Sequence, residues 1–362
     1  MACMQLVILV LFLIPFVRSD DTTLIPADSS QLNSWFEKNV GPISARKGSL
    51  DPALEAAEAG AKVIKVRTDG SGDFKTVNDA IKSVPTGNKD RVIVLIGPGN
   101  YTEKIKIDRY KPFITLYGEY YSNNMPTLIY GGTAAEYGTV DSATLIVESD
   151  YFTAVNVKIV NSAPRPDGVR QGAQAVALRI GGDKASFYNC KIYGFQDTLC
   201  DDKGKHFYKD CYIEGTVDFI FGSGRSLYLN TETYVIPGGG MAMITAQART
   251  KADESNGYVF AHCTVTGTGN HAYLGRAWMP YARVVYAYSE FSDAVNPEGW
   301  FNNLDSQNNK TVYFGEYNNK GPGSAQDKRA GFTKKLSDAE AKQFISLGFI
   351  EGSRWLLPPN KL

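Results

Sequence analysis

Short hydrophobic runs with alternating polar positions recur through most of the chain, and they end at Gly, Asn or Asp. Runs of this length that are rich in β-branched and aromatic residues predict β-strands. Two of them match in register 21 residues apart: Phe187-Tyr-Asn-Cys190-Lys-Ile192-Tyr-Gly194-Phe-Gln-Asp197 and Tyr208-Lys-Asp-Cys211-Tyr-Ile213-Glu-Gly215-Thr-Val-Asp218. Weaker or shorter copies begin at Phe152, Tyr228, Phe260 and Tyr286. The chain therefore contains an internal repeat built from short strands.

A repeat of about 21 residues is typical of a solenoid whose strands stack in parallel. Helical solenoids need roughly 33 residues or more per repeat and a period of 3.6, and neither is present. We predict an all-β fold, a right-handed parallel β-helix, with loops inserted where the copies lie further apart. Cys190, Cys211 and Cys263 hold equivalent repeat positions, so we expect them to stack in the interior. A disulfide from Cys211 to Cys190 or to Cys200 stays open.

The open ends of such a solenoid need covering, and three segments have the pattern of short capping helices. Residues 76–84 carry apolar side chains on one face and are followed by Pro85. Residues 51–60 begin with Asp-Pro and end at Gly, as expected for a helix N-cap, first turn and C-terminus. Ser337-Asp-Ala-Glu340 is a capping box, and it predicts a helix that extends to about Leu347.

The N-terminal segment has the features of a secretory signal. Residues 6–17 form an almost unbroken apolar run, too short for a membrane span of about 20 residues, and Ser19 fits a cleavage site. An uncleaved membrane anchor is the alternative. We expect a signal peptide at residues 1–19, an extension at residues 20–60 and one β-helix domain at residues 61–362. The mature protein is expected to be extracellular, with candidate glycosylation sites at Asn100 and Asn309.

Composition argues against several classes of function. Lys plus Arg equals Asp plus Glu at 38 each, so the basic excess typical of nucleic-acid-binding proteins is missing. The three His, and the Cys that remain after the signal, do not have the spacing of zinc ligands, so we expect no metal and no cofactor. The sequence has no Gly-x-Ser-x-Gly elbow, which argues against a serine hydrolase of that type. We also expect no membrane partner for the mature chain.

The repeat itself supplies the candidate chemistry. Asp197 and Asp218 hold the same position in successive coils, and parallel strands lie about 4.8 Å apart, so their carboxylates should be neighbours. Like charges at that separation favour one protonated and one ionised group near neutral pH. The amides of Gln174 and Gln196 are candidate oxyanion donors, and Arg276 is a candidate partner for a carboxylate. A structural ladder of Asp residues that cap turns is the alternative.

Five segments, in the same order, resemble motifs of the plant pectin methylesterases, also called pectinesterases. They are Gly99-Asn-Tyr101-Thr-Glu103, Gln174-Ala-Val-Ala-Leu-Arg179, Gly194-Phe-Gln196-Asp197-Thr-Leu199, Gly215-Thr-Val-Asp218-Phe-Ile-Phe221-Gly222 and Leu274-Gly275-Arg276-Ala-Trp278. The resemblance extends from about Val63 to Trp355. It implies the β-helix that the repeat predicts, and residues 61–362 are then the catalytic domain. It also implies hydrolysis of galacturonate C6 methyl esters in pectin, with release of methanol, during cell wall modification.

The resemblance also implies a role for each candidate site residue. Asp218 corresponds to the nucleophile, and Asp197 to the acid and base. Gln174 and Gln196 correspond to the oxyanion donors, and Arg276 to the arginine that pairs with the nucleophile. No cofactor or metal is implied.

Three aromatic residues, Phe221, Trp278 and Trp300, correspond to residues of the family's sugar-binding cleft, and plain packing is their alternative role. Cys200 and Ala277 are departures, because the family commonly has Tyr and Pro there. The inhibitor-like N-terminal region frequent in the family is not recognisable, so the chain resembles the short type. The expected partners are methyl-esterified homogalacturonan and a proteinaceous pectinesterase inhibitor, with the protein acting as a monomer.

Two other functions remain open from the sequence. One is a different β-helix enzyme acting on pectin, a lyase or a polygalacturonase. A lyase would need a cluster of acidic calcium ligands, and a polygalacturonase further paired aspartates and a catalytic His; neither is found. The other is a wall-binding protein without activity, against which the intact Asp197, Asp218, Gln196 and Arg276 argue.

Overall fold

The structure, a computed structural model, describes residues 21–119, 124–238, 240–269 and 271–359. The expected signal peptide at residues 1–19 lies outside the described residues. None of the described helices has the length and the apolar character that crossing a membrane requires.

The described part of the chain is built mainly from short strands. The strands are β1 Lys62–Val66, β2 Val92–Ile96, β3 Asn100–Thr102, β4 Ile105–Ile107, β5 Ile114–Gly118, β6 Thr127–Tyr130, β7 Leu145–Val147, β8 Thr153–Val155, β9 Lys158–Asn161, β10 Leu178–Ile180, β11 Ala185–Tyr188, β12 Lys191–Tyr193, β13 Leu199–Asp201, β14 Lys205–Lys209, β15 Tyr212–Gly215, β16 Ile220–Gly222, β17 Arg225–Leu229, β18 Glu232–Val235, β19 Ala242–Gln247, β20 Gly257–Ala261, β21 Thr264–Gly267, β22 Ala272–Arg276, β23 Arg283–Ala287, β24 Glu290–Phe291, β25 Trp300–Phe301, β26 Tyr313–Tyr317 and β27 Lys334–Lys335. The α-helices are α1 Leu32–Asn39, α2 Pro52–Ala59, α3 Val77–Ser83, α4 Ala134–Tyr137 and α5 Asp338–Ala341. Short 3₁₀ turns cover Ser29–Gln31, Ile43–Ala45, Val140–Ser142, Asn308–Lys310, Pro322–Ser324, Leu347–Ile350 and Gly352–Arg354.

The strands form three parallel sheets, and every third strand along the solenoid returns to the same sheet. Sheet 1 has the order β1-β2-β5-β8-β11-β14-β17-β20-β23-β26-β27. Sheet 2 has the order β3-β6-β9-β12-β15-β18-β21-β24, and sheet 3 the order β4-β7-β10-β13-β16-β19-β22-β25. This arrangement confirms the right-handed parallel β-helix that the repeat predicts.

The turn from sheet 1 to sheet 2 uses the same backbone device in successive coils. The residue directly after the strand has a positive φ, between 49° and 56°, which is the left-handed region that Asn and Asp adopt most readily among non-glycine residues. These residues are Asn156, Asn189, Asp210, Asn230, His262, Tyr288 and Asn318. Their side chains also bond along the stack, as Asn189 Nδ2 donates to Asn156 Oδ1 at 2.8 Å. The turn residues of the repeat therefore fix where each coil bends.

The aromatic residue that opens each repeat copy stacks on its counterpart inside the solenoid. Ring centroids are 4.7 Å apart between Phe187 and Tyr208, 4.5 Å between Tyr208 and Tyr228, and 4.4 Å at the next two steps to Phe260 and Tyr286. Each aromatic pair adds about 0.5–1.5 kcal/mol beyond the burial of its surface. The repeat positions read from the sequence are thus the core of the fold.

The cysteines of the repeat are buried free thiols. Phe187 of β11 pairs with Tyr208 of β14, and Cys190 and Cys211 each follow three residues later. The two cysteines therefore lie in adjacent coils, and both are free. Cys263 donates to Tyr228 O at 3.4 Å, and Cys200 is also buried and free. Cys190 and Cys211 therefore stack inside the solenoid as expected, whereas Thr231 lies in the coil between Cys211 and Cys263 and separates those two. Neither of the two open disulfide pairings is formed.

Helices are present in all three predicted segments, although one is shorter than expected and only α3 covers an open end of the solenoid. Val77, Ala80 and Ile81 of α3 join the interior core, whereas the apolar residues of α2 and α5 pack with the outer face of sheet 1, so the prediction that α2 and α5 cap the ends is wrong. Helix α3 begins after Thr76, whose side chain accepts from Asp79 N, and α2 lies between Asp51 and Gly60. Helix α5 has the capping box at Ser337 but ends at Ala341, so its predicted extension to Leu347 is wrong. The physical reason is that the backbone at Ile345 and Ser346 pairs instead with the segment at Leu24 and Ile25.

The segment before the solenoid packs against the outer face of sheet 1. Phe36 on α1 stacks on Phe207 of β14, with ring centroids 5.8 Å apart. The guanidinium of Arg46 is buried and donates to the carbonyls of Ser353 and Leu356. Residues 32–59 are therefore built into the fold, and helix α1 is an element that the sequence analysis missed. The domain boundaries at residues 19 and 60 stay predictions.

Replacing Phe36 by Ala should destabilise the protein by about 3–5 kcal/mol, because the change removes a buried ring and leaves a cavity. Urea unfolding of wild type, Phe36→Ala and the control Lys38→Ala, an exposed position on the same helix, measures this. A loss below about 1 kcal/mol for Phe36→Ala would show that α1 is dispensable for the fold.

Candidate active site

Asp197 and Asp218 enter sheet 3 at equivalent corners of adjacent coils. Each stands two residues before a strand, and the strands pair Leu199 with Ile220, so the two carboxyl groups belong to neighbouring coils. Both residues have positive φ, 67° and 52°, which is a strained conformation for a residue with a side chain. Both are buried, at 8% and 7% exposure. The fold therefore places Asp197 and Asp218 next to each other, as the repeat predicts.

Arg276 holds one of the two carboxylates in a bidentate ion pair. Its Nε donates to Asp218 Oδ1 at 2.6 Å and its Nη2 to Asp218 Oδ2 at 2.5 Å. The two side chains are only 14% and 11% exposed, so water screens the pair weakly. Arg276 is the last residue of β22, which is two strands from β16. In the register of these strands, Ala246 lies between Arg276 and Phe221. The short side chain of Ala246 is compatible with an arginine that reaches back to the corner at Asp218.

Asp197 is the protonated member of the pair at neutral pH. Burial raises the pKa of its carboxyl group to about 8, with a smaller contribution from the negative charge of Asp218 and an opposing one from Arg276. Its side chain makes no hydrogen bond to the described part of the protein. The two aspartates are therefore differentiated, because Asp218 is paired with a cation whereas Asp197 is buried with a raised pKa.

The two glutamines lie in successive coils beside the aspartates. Ala175 N donates to Gln196 O at 3.2 Å, which places Gln174 one coil before Gln196. Gln174 Nε2 donates to Thr139 Oγ1 at 3.1 Å, a partner that the sequence did not indicate. The amide of Gln196 has no hydrogen-bond partner among the described residues. One N–H of Gln174 and both of Gln196 are available to a ligand.

The outward row of sheet 3 forms a surface next to these groups. The register aligns Arg179, Cys200, Phe221, Ala246, Arg276 and Phe301 across six strands. Cys200 is 1% exposed and packs with Phe221, which is itself only half-buried. Cys200 departs from the family pattern, and its buried thiol packs beside Phe221 without being accessible to a ligand.

Trp278 is the most exposed aromatic side chain near the ion pair. It is 47% exposed, and the guanidinium carbon of Arg276 lies 4.4 Å from the centroid of one of its rings. This cation–π contact covers one face of the arginine. Trp278 therefore lies against Arg276, and Phe221 follows Asp218 by three residues on β16. Their role in a sugar-binding cleft stays a prediction.

The expectation that Trp300 lines a surface cleft is wrong. It pairs with Gly275 in the inward row of sheet 3, whereas its neighbour Phe301 pairs with Arg276 in the outward row. The indole is 1% exposed, stacks on Phe314 at 4.5 Å and donates to Glu316 Oε1 at 3.0 Å. Because successive side chains in a strand point to opposite faces, Trp300 belongs to the core.

Asn303 is a site residue that the sequence analysis missed. Its Oδ1 accepts a hydrogen bond from Arg276 Nη1 at 2.7 Å. The only local signal is a pair of asparagines after Gly-Trp-Phe, which indicates a turn but no partner. The contact depends on a loop of the next coil.

Two further features of the described residues bear on the location of the site. No group of three or more His, Cys, Asp and Glu side chains in this part of the chain is arranged to hold a metal ion. A cavity of about 850 Å³ lies between α1 and sheet 1, lined in part by Phe36, Tyr188 and Lys209. It contains none of the candidate residues, which lie on or beside sheet 3 instead.

Comparison with known proteins agrees with this geometry. The pectinesterase family model matches residues 63–353. Pectinesterase 2 of Olea europaea is 66% identical over 351 residues, which cover 97% of this chain and 95% of that protein. Probable pectinesterase 50 of Arabidopsis thaliana is 55% identical over 353 residues, 98% of this chain and 97% of that protein.

A solved structure is similar over most of the fold. The pectin methylesterase from carrot aligns with a TM-score of 0.76 at 31% identity, covering 82% of this chain and 97% of that one. At this identity and coverage, the chain belongs to the pectinesterase family, and its activity is the removal of methyl esters from pectin.

Proposed function

We propose that the chain hydrolyses the C6 methyl esters of galacturonate units in pectin through a covalent intermediate on Asp218, with Asp197 as acid and base. The observation that carries the proposal is the bidentate pair between Arg276 and Asp218, beside a neutral Asp197 in the adjacent coil. An ionised carboxylate next to a protonated one is the arrangement that nucleophilic attack and leaving-group protonation require together.

In the first half of the reaction, an oxygen of Asp218 attacks the ester carbonyl carbon and a C–O bond forms. The carbonyl oxygen becomes an oxyanion, to which the free amide N–H groups of Gln196 and Gln174 donate. When the intermediate collapses, the bond to the methoxy oxygen breaks, and Asp197 gives its proton to the departing methanol. The sugar is then joined to Asp218 as an acyl-enzyme.

In the second half, water attacks the acyl carbon and Asp197, now ionised, takes a proton from that water. The bond between the carbonyl carbon and Asp218 breaks, and Asp218 returns to its pair with Arg276. The products are methanol and a galacturonate carboxyl group, and the net reaction consumes one water. Asp197 is again protonated, so the cycle needs no cofactor or metal.

The flanking aromatic side chains support the assignment of a sugar substrate. Trp278 presents an exposed ring and Phe221 a half-buried one beside the reacting groups. Flat apolar faces of this kind pack against the C–H faces of pyranose rings, and the polar groups then orient the ester. We place the enzyme outside the cell in the plant wall, acting as a monomer on homogalacturonan, with a proteinaceous pectinesterase inhibitor as a candidate partner.

Asp218→Asn should abolish methanol release from esterified pectin, because an amide cannot form the acyl-enzyme. The matched control is Asp210→Asn, the same change at an exposed corner of another sheet that also has positive φ, 56°, where activity should stay near wild type. Methanol assays and binding to pectin are measured on all three proteins. More than about a tenth of the wild-type rate in Asp218→Asn would remove Asp218 from the role of nucleophile.

Asp197→Asn should make the protein more stable at pH 8 than wild type, with little difference at pH 4. In the unfolded chain an Asp carboxyl ionises with a pKa of about 3.9, whereas in the folded protein that of Asp197 is about 8. Between these values the folded state holds a proton that the unfolded state has released, so the free energy of unfolding falls as pH rises.

The Asp197→Asn variant does not undergo this pH-dependent loss of stability, which lowers the free energy of unfolding of wild type by on the order of a few kcal/mol at pH 8. Melting temperatures of both proteins, measured from pH 4 to 9, give the difference. A difference independent of pH, or a less stable variant at pH 8, would contradict a neutral buried Asp197.

A further inference from the structure

The guanidinium of Arg276 is fixed on three sides by three different parts of the chain. One edge carries the two hydrogen bonds to Asp218, and Trp278 covers one face. The remaining terminal nitrogen, Nη1, donates to Asn303 Oδ1 at 2.7 Å. Since Arg276 pairs with Phe301 across the sheet, Asn303 approaches from the coil after Arg276, whereas Asp218 lies two coils before it.

The backbone around Asn303 is strained and held in place by its own loop. Asn303 and Leu304 both have positive φ, 60° and 61°, and two such residues in succession are costly outside glycine. Asn302 Nδ2 donates to Asn309 Oδ1 at 3.0 Å, and Asn308 Nδ2 donates to Asn302 O at 3.0 Å, so two hydrogen bonds at Asn302 close the loop that contains Asn303 and Leu304. Strain that is maintained in this way is typical of positions that serve a site.

The chemistry of an amide oxygen suits this position. It accepts a hydrogen bond from the guanidinium but brings no charge, so it orients Arg276 without competing with the Asp218 carboxylate for it. Leu304, next in the chain, is 89% exposed and has no packing role that would explain the loop conformation.

We propose that Asn303 is a positioning residue, which fixes the rotation of the Arg276 guanidinium and thereby the attacking geometry of the Asp218 carboxylate. This inference rests on the proposed function, because it assigns Asn303 a part in the same reaction. It acts through Arg276 and has no contact with the reacting atoms.

Two variants test the inference. Asn303→Gly removes the amide while keeping a residue that adopts positive φ without strain. Asn303→Asp keeps the shape but adds a carboxylate against Arg276. The matched control is Asn318→Gly, an exposed asparagine with φ 49° at a corner of sheet 1. For each protein, kcat and KM for methanol release are measured across pH 4–10, together with the melting temperature.

Asn303→Gly should lower kcat about tenfold or more and change KM less than twofold, because the ground-state contacts to the sugar remain. Asn303→Asp should move the acid-side fall of the pH–rate profile up by roughly half a pH unit or more, since the new carboxylate competes for Arg276. Asn318→Gly should match wild type in both readouts. If every variant melts within a few degrees of wild type, unfolding is excluded as the cause.

The inference is overturned if Asn303→Gly keeps kcat within twofold of wild type, or if Asn303→Asp leaves the pH profile unmoved. Should Asn303→Gly fail to fold, the pH profile of Asn303→Asp decides. Failure of the proposed function is a separate outcome, because Asp218→Asn would then keep more than about a tenth of the wild-type rate of methanol release.

Discussion

The active site depends on the ion pair between Arg276 and Asp218. Two carboxylates in adjacent coils repel each other, and burial makes the repulsion stronger. The guanidinium of Arg276 binds both oxygens of Asp218, whereas Asp197 has no such partner and burial raises its pKa to about 8. The difference between the two aspartates therefore depends on burial and on an arginine two strands away on the same sheet.

The solenoid supplies the geometry for this pair. Stacking in parallel register brings residues 21 apart in sequence to the same corner, and alternation along each short strand then separates core from surface. Phe301 and Arg276 point outward with the site, whereas Trp300 and Gly275 belong to the inward row. A shift by one residue in a strand as short as β25 would exchange Trp300 with Phe301. The candidate site thus depends on the register of the strands in sheet 3.

Features that depend on the repeat can be predicted from the sequence, whereas features that depend on loops and tertiary contacts cannot. The pairing of Asp197 with Asp218 comes from two coils of equal length, so their spacing alone predicts it. The sheets and the stacked aromatics follow from the repeated motif, even where loops make the spacing between copies unequal. Arg276 lies beyond loops of unequal length, and only the family resemblance connected it to Asp218. Trp300 was misassigned because a two-residue strand after a loop gives no periodicity from which to read its face. Asn303 and helix α1 depend on tertiary contacts that no local pattern records.

The packing of both flanking segments on sheet 1 bears on the order in which the protein assembles. Coils can stack one after another as the chain grows, since each needs only its neighbour. Arg46 is different, because its buried guanidinium donates to the carbonyls of Ser353 and Leu356, about 310 residues later. Stacked coils bring these two ends of the chain together, whereas an unfolded chain would have to close the whole loop first. We therefore expect this contact to form late, around a solenoid whose coils have already stacked.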